Sequence, residues 1–313
     1  MALGLRRGTV TAVLESRDRF VRLEVDGIAC VAYPRLTGEV EVGDDVLVNE
    51  QARLLELGSG GFDVLYANLT RGLGLPAEEG AHVIALPYTP SQVTLCYKEE
   101  TAGLAATLDG MPVVLCTLHS QVAPVCAALV GLRVAYVQVH GGALPVSLSD
   151  TVRTLQERGL LGAAIAVAPC LDGDVECVTT AAAFAYAAAE GYDAVVCSVG
   201  PGIVGTGSRL GTGALSLADA ANVATALGGR PVLTVRRSTA DERERHRGIS
   251  HHVQTVLDLC LGEVVTADED AGDRWEEACA GLPLSHMGRG PADDSTFFRS
   301  AYAAGLAARE LIG

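Results

Sequence analysis

The sequence predicts an α/β fold, a mostly parallel βαβ sheet with helices on both faces, preceded by a small all-β barrel of OB or SH3 type. From residue 82 onward, short continuous apolar runs alternate with helix-length segments. Strands buried on both faces and joined by crossover helices read this way. Before residue 70 the chain holds five short Val- and Leu-rich runs punctuated by glycine, the pattern of a small closed sheet. The length, 313 residues, exceeds one typical domain and suggests two.

The barrel strands are expected at 8–16, 20–25, 28–33, 45–49 and 62–69, with Asp26-Gly27 joining the second and third at the spacing of a tight hairpin. Gly38, Gly43, Gly58, Gly60 and Gly61 punctuate the rest. Residues 71–80 (RGLGLPAEEG) read as a linker between a barrel domain, 1–70, and an α/β domain, 81–313. Runs 82–86 and 93–97 form an antiparallel hairpin across Pro87-Tyr88-Thr89-Pro90. Strand and helix then alternate: 113–118 with 122–130, 134–139 with 149–158, 163–168 with 175–190, 194–198 with 217–227, and 232–235 with 249–261. Ser216 followed by Asp219 marks a helix start, and Gly228-Gly229 a stop. Helical segments around Trp275 and over 296–311 close the chain.

Hydrophobic residues make up 49% and charged residues 19% of the chain, a globular balance rather than a disordered one. The formal charge of −15 argues against broad nucleic-acid binding, which depends on neutralising phosphates. Nine cysteines without a C-x-x-C pair read as reduced, buried thiols. The opening MALGLRRGTV lacks the apolar region of a signal peptide, and no uninterrupted apolar run is long enough to span a membrane. A cytoplasmic protein is expected, with homo-oligomerisation left open.

In an open parallel sheet, ligands bind beyond the carboxyl ends of the strands. The residues after each expected strand are His119-Ser120, His140-Gly141-Gly142, Pro169-Cys170, GPGIVGTGSRLGTG over 200–213, and Arg236-Arg237 leading into DERERHRGISHH over 241–252. Five of the seven histidines (His119, His140, His246, His251 and His252) therefore fall on one rim.

Six glycines in the fourteen residues 200–213 raise the question of what this backbone approaches so closely. Gly200, Gly202 and Gly205 match G-x-G-x-x-G. A dinucleotide fold, however, starts its helix within that motif, and here the helix signal waits until Ser216. Two readings remain, a structural loop and an anion-accepting loop of backbone amides. The second assigns Gly200, Gly202, Gly205, Thr206 and Gly207 to a ligand, with Ser208 and Thr212 adding hydroxyls. Five arginines, Arg236, Arg237, Arg243, Arg245 and Arg247, face Asp241, Glu242 and Glu244 in the next segment. They form either a self-paired solvated loop or an oxyanion clamp. Arg245, Arg247 and Ser250 would then join His119 and His140 around the ligand.

Adjacent helical residues point about 100° apart, so His251 and His252 are not expected to share an ion, and H-x-x-x-H is absent. One of the pair could join His119 or His140, but no metal set is assigned. A helix start favours neutral imidazoles, which leaves acid–base work by His251, His252 or His246 beside plain structural hydrogen bonding. A G-x-S-x-G nucleophile elbow is missing. Cys170 reads as a core thiol, and Asp172-Gly173-Asp174 as a solvated turn.

The stretches GPGIVGTG, RERHRGISHH, LHSQVAP, HGGALP and SHMGRG, with VGDDVLVN, GSGGFDV and YTPSQ, resemble over nearly the whole chain a bacterial family known as a domain of unknown function, DUF3866. The resemblance implies that 200–207, 245–252 and 287–290 belong to a family pattern. It brings no reaction, ligand or cofactor, and His286 receives no role. The expected function is an enzyme acting on a phosphorylated or otherwise anionic small molecule, bound by the glycine loop and the Arg/His segment. The alternative is a non-catalytic binding or regulatory module that docks through its barrel. RNA association through Arg6, Arg7, Arg17, Arg19 and Arg22 ranks below both, because acids crowd the same region and stacking aromatics are scarce there.

Overall fold

A computed structural model describes residues 3–55, 60–71, 73–267, 272 and 274–312. Gly58, and Gly72 of the expected linker, lie outside it. The chain divides into two compact units, 1–96 and 97–313.

The first unit begins with β1 (Leu5–Arg17), β2 (Phe20–Val25) and β3 (Ile28–Ala32), followed by a helical turn α1 (Pro34–Thr37). Next come β4 (Asp45–Asn49), the turn α2 (Gln51–Leu54) and β5 (Asp63–Asn68). The five strands close into a barrel in the order β1-β2-β3-β5-β4, which leaves no sheet edge unpaired. Closure depends on the length of β1: its first half pairs with β4, and from Val10 onward it pairs with β2. Register shifts along the second half bend it between the two partners. Asp26 and Gly27 both take positive φ, 53° and 75°, as a two-residue hairpin turn matched to strand twist requires. Alternate residues of these strands, among them Val21, Leu23, Val46, Val48 and Leu65, fill the barrel. The hairpin β6 (Val83–Ala85) and β7 (Val93–Leu95) pairs antiparallel and groups with the barrel rather than with the α/β unit.

The second unit runs β8 (Pro112–Cys116), α3 (Val122–Ala128), β9 (Val134–Val139), α4 (Asp150–Glu157), β10 (Ala164–Val167) and β11 (Val175–Cys177). It continues with α5 (Thr180–Ala189), β12 (Ala194–Val199), α6 (Ser216–Ala226), β13 (Arg230–Leu233), and the short pair β14 (Arg237–Ser238) and β15 (Gly248–Ile249). Then come α7 (His251–Leu259), β16 (Val265–Thr266), α8 (Arg274–Ala278) and α9 (Ser295–Glu310). Seven parallel strands form one sheet in the order β11-β10-β9-β12-β8-β13-β16. Central strands are buried at every residue, which explains their unbroken apolar sequences. Hydroxyl caps start three helices: Ser149 on α4, Thr179 on α5 and Ser250 on α7.

The expected helix 175–190 is divided. Its first residues form β11, and Thr179 restarts the chain as α5. The expected solvated turn Asp172-Gly173-Asp174 is solvated only at Asp174, since Asp172 and Gly173 are buried. Asp172 is buried and accepts from the Ser147 hydroxyl, while Asp174 accepts from the Ala164 amide. All nine cysteines are free, seven of them buried, and burial raises the Cys170 thiol to about 12. Among the described residues no helix is long and apolar enough to cross a membrane.

Candidate functional site

Strands β8 and β9 leave the sheet through α3 and α4, which pack on one face. Strands β11, β12 and β13 leave through α5, α6 and α7, which pack on the other. Neighbouring strands whose chains depart to opposite faces open a crevice at their carboxyl ends. In this strand order that happens at β9/β12, β12/β8 and β8/β13.

Backbone fills the first of these. A Cβ on Gly142 would stand 2.2 Å from the Gly200 carbonyl oxygen, and one on Gly200 would stand 2.1 Å from that of Ala143. Gly141 and Gly213 meet equally closely, at 2.5 Å and 2.1 Å. The Ala143 amide donates to the Pro201 carbonyl and the Val204 amide to that of Gly141. The glycine loop is therefore pressed against the 140–143 backbone, which explains Gly200 and Gly213 structurally. Beyond that contact, Gly205 bridges Thr212 and the Thr206 amide donates to the Gly211 carbonyl. The amides of Ser208, Gly211 and Gly213 also donate within the loop. Gly202, at φ 67°, and Gly205, Thr206 and Gly207 are exposed along this projecting hairpin. Of the five residues assigned to an anion, only Thr206 donates its amide within the loop.

His119 serves the β12/β8 junction. Its Nδ1 lies 3.2 Å from the Val199 carbonyl oxygen and 3.3 Å from the Tyr136 hydroxyl, and its Nε2 lies 2.6 Å from the Ser149 hydroxyl. The Ser149 oxygen accepts from the Val152 amide, so its own proton points to Nε2, and Nδ1–H points to Val199. Burial lowers His119 to about 4. It is a neutral, fully partnered cross-brace rather than a free ligand-binding group. His140 is exposed and is not one of the three histidines whose nitrogens gather within 4.8 Å.

The β8/β13 crevice is built differently. Gln121, after β8, accepts from the hydroxyls of Thr117 and Thr234, which ties the two strand ends together. Beyond Thr234 the chain forms β14, turns, and returns as β15, with Arg237 opposite Ile249. Inside that turn Asp241, 1% exposed, receives Arg236 at 3.2 Å, Arg243 at 3.0 Å and Arg289 at 3.5 Å. Asp294, also buried, accepts from the Ser238 hydroxyl and lies 3.9 Å from Arg289. Burial alone would raise the Asp241 carboxyl, but the hydrogen bonds and charges of Arg243 and Arg236 outweigh it and hold the group well below the usual carboxylate range. Burial lowers Arg236 to about 10 despite that partner. Three guanidiniums, of which only Arg236 is buried, thus share two buried carboxylates, a network with excess positive charge.

On this support sit three histidines. A 3-10 turn (Glu244–His246) delivers His246, and Ser250 caps α7, whose first two residues are His251 and His252. His246 Nδ1 lies 2.8 Å from Ser250 Oγ. The His251 and His252 rings are 3.9 Å apart at their centroids, and each is 5.3 Å from His246. The divergence expected of adjacent helical residues does not hold here, because the two rings turn together at the first turn and a third joins them from before the cap. Burial and the Arg236 and Arg243 charges lower His246 to about 3. Burial, then His251, Arg236 and Arg245, lower His252 to about 4, and burial with Arg245 lowers His251. His251 Nε2 and His252 Nδ1 are buried without a hydrogen-bond partner. Groups this far below neutrality suit lone-pair donation better than proton storage at neutral pH.

Of the five arginines in the segment, Arg236 and Arg243 are engaged by Asp241. Arg245 and Arg247 are exposed, and the Arg245 charge is felt at His251 and His252. The sequence did not single out His286. It is buried, stacks on Phe297 at 3.9 Å between ring centroids, and places Nδ1 3.3 Å from Ser120 Oγ. Burial and the Arg236 and Arg289 charges lower it to about 3. The only hint in the sequence was its place before Met287-Gly288-Arg289-Gly290. In the barrel, Arg6, Arg7, Arg17, Arg19 and Arg22 each have a carboxylate partner, so that surface offers less positive charge than its arginines suggest.

A closed five-stranded barrel followed by a seven-stranded parallel sheet, with histidines gathered at a switch point, defines a two-unit α/β protein. The family described as "Protein of unknown function (DUF3866)" matches residues 29–274, and the chain belongs to it. The matched stretch includes the glycine loop and the histidine cluster but ends before His286 and Arg289. No curated protein matches the chain.

Proposed function

We propose that the protein is an enzyme acting on an anionic small molecule, phosphorylated or carboxylated, at the β8/β13 crevice. The reading rests on one observation: His246, His251 and His252 converge beside Arg245, with His251 Nε2 and His252 Nδ1 buried and unpartnered. Unsatisfied buried polar atoms cost stability and mark groups kept for another partner. Arg245 supplies an exposed guanidinium fork for an oxyanion, and the imidazoles supply the reacting end. Arg247 lies two residues further along the same exposed turn. The glycine loop packs on the 140–143 backbone at the β9/β12 crevice and is given no ligand in this reading.

Calorimetry with pyrophosphate tests the anion half. The wild type binds, and Arg245→Ala loses roughly 1.5–3 kcal/mol, the worth of a charge-assisted contact. Equal binding by both proteins counts against the assignment. Incubation with a mixed pool of nucleotides and sugar phosphates, followed by phosphorus NMR, tests the enzyme half. Turnover abolished by His252→Ala supports catalysis. Binding without turnover favours the non-catalytic module.

A further inference from the structure

We propose that His246, His251 and His252 form a three-histidine site for a borderline divalent transition-metal ion, with Zn²⁺ as the reference ion. One ligand nitrogen from each ring lies within 4.8 Å of the others. Two of the nitrogens on these rings, His251 Nε2 and His252 Nδ1, are buried and lack a hydrogen-bond partner. On His246 the Nδ1 position is taken by Ser250 Oγ at 2.8 Å, which leaves Nε2 as the ligand atom. A hydrogen-bonded outer nitrogen is the usual companion of a metal-bound imidazole, since it fixes the ring and its tautomer. The same hydroxyl caps α7 through the His252 amide, so Ser250 ties the 3-10 turn and the helix start into one frame.

Three neutral imidazoles select zinc, iron, cobalt or nickel over magnesium and calcium, which prefer oxygen ligands. Three protein ligands leave positions open, the arrangement of catalytic rather than structural zinc. Charge sets a condition on binding. Asp241 and Asp294 already neutralise much of Arg236, Arg243 and Arg289, but Arg245 remains exposed and repels a bare cation. A hydroxide or a substrate oxyanion on the open positions offsets that repulsion. The inference deepens the proposed function, because it places the anion of that reading on the metal as well as on Arg245.

The test is titration of chelator-treated protein with Co²⁺, followed by visible d–d absorption and by metal analysis after desalting. One Co²⁺ per chain is expected, undisturbed by excess Mg²⁺ and lost in His251→Gln and His252→Gln. Thermal unfolding confirms that these variants are folded. Ser250→Ala weakens uptake about 10- to 100-fold, as loss of a supporting hydrogen bond does. Arg245→Gln tightens Co²⁺ binding severalfold while it weakens pyrophosphate binding, so the two proposals move in opposite directions in one variant. Absence of uptake, or uptake unchanged in both glutamine variants, overturns the metal site. Pyrophosphate binding that depends on Arg245 would survive that result, and its loss would leave cluster-dependent Co²⁺ uptake standing.

Discussion

Replacing Gly200 with alanine separates the structural role of the glycine loop from a ligand role without any ligand in hand. The new Cβ would stand 2.1 Å from the Ala143 carbonyl oxygen and 2.9 Å from Gln138 Nε2. Neither neighbour is free to withdraw. Gln138 Nε2 donates at 3.0 Å to the carbonyls of both Ala143 and Leu144, and the Ala143 amide donates to Pro201. Relief therefore requires the 140–145 and 200–204 segments to separate, at a cost of about 1–3 kcal/mol by the usual penalty for overpacking. Gly142→Ala, whose Cβ would stand 2.2 Å from the Gly200 carbonyl oxygen, should cost a similar amount. Gly207 is the control from the same loop, since a Cβ there meets nothing within 4 Å. Gly207→Ala should be neutral, or stabilising by about 0.4–1 kcal/mol through the unfolded chain. Urea unfolding followed by Trp275, the single tryptophan, buried in the α/β unit, reads these differences as shifts in midpoint. A Gly200→Ala protein as stable as wild type, or a Gly207→Ala protein as damaged as Gly200→Ala, would refute the close-approach argument.

Acid should destabilise the α/β unit through His119. Its folded value lies near 4 against an ordinary 6.5, so the unfolded chain takes up the proton first. Stability from this residue is complete above about pH 6.5 and falls as pH drops toward 4, by about 3 kcal/mol in all. His119→Gln should flatten the pH slope in that window by one proton, measured by urea unfolding at several pH values. An unchanged slope would show that His119 titrates normally. Asp241→Asn removes the counter-charge of the buried Arg236 and should cost about 3–5 kcal/mol. Arg247→Ala, on the exposed turn, should change stability by less than about 0.5 kcal/mol. Equal effects of the two on the urea midpoint would show that the buried network carries no special weight.

The parallel sheet was legible because buried central strands write themselves as unbroken apolar runs, and the barrel because Asp26-Gly27 and the spaced glycines mark its turns. Strands β11 and β16 escaped because two or three residues at a sheet edge carry no periodicity. The rim position of the histidines followed from reading past each strand end. Their mutual arrangement did not, since ring direction at the first turn of α7 depends on rotamers, and His246 joins from a turn before the cap. Asp294, Arg289 and His286 arrive from more than thirty residues away along the chain, where local pattern says nothing about contact. The glycine loop was legible as a close approach but not as to what it approaches, for a physical reason. Close approach of backbone to backbone and of backbone to an anion demand the same residue.

Imidazole NMR of ¹⁵N-histidine-labelled protein during titration with pyrophosphate tests the central claim most directly, because it observes the histidines individually while the anion arrives. The account predicts that signals from His246, His251 and His252 move together and saturate, while exposed His140 stays in place. They should move far less in Arg245→Ala. A spectrum in which the cluster stays fixed, or in which His140 moves as much as His252, would contradict the claim that the anion binds beside the three histidines.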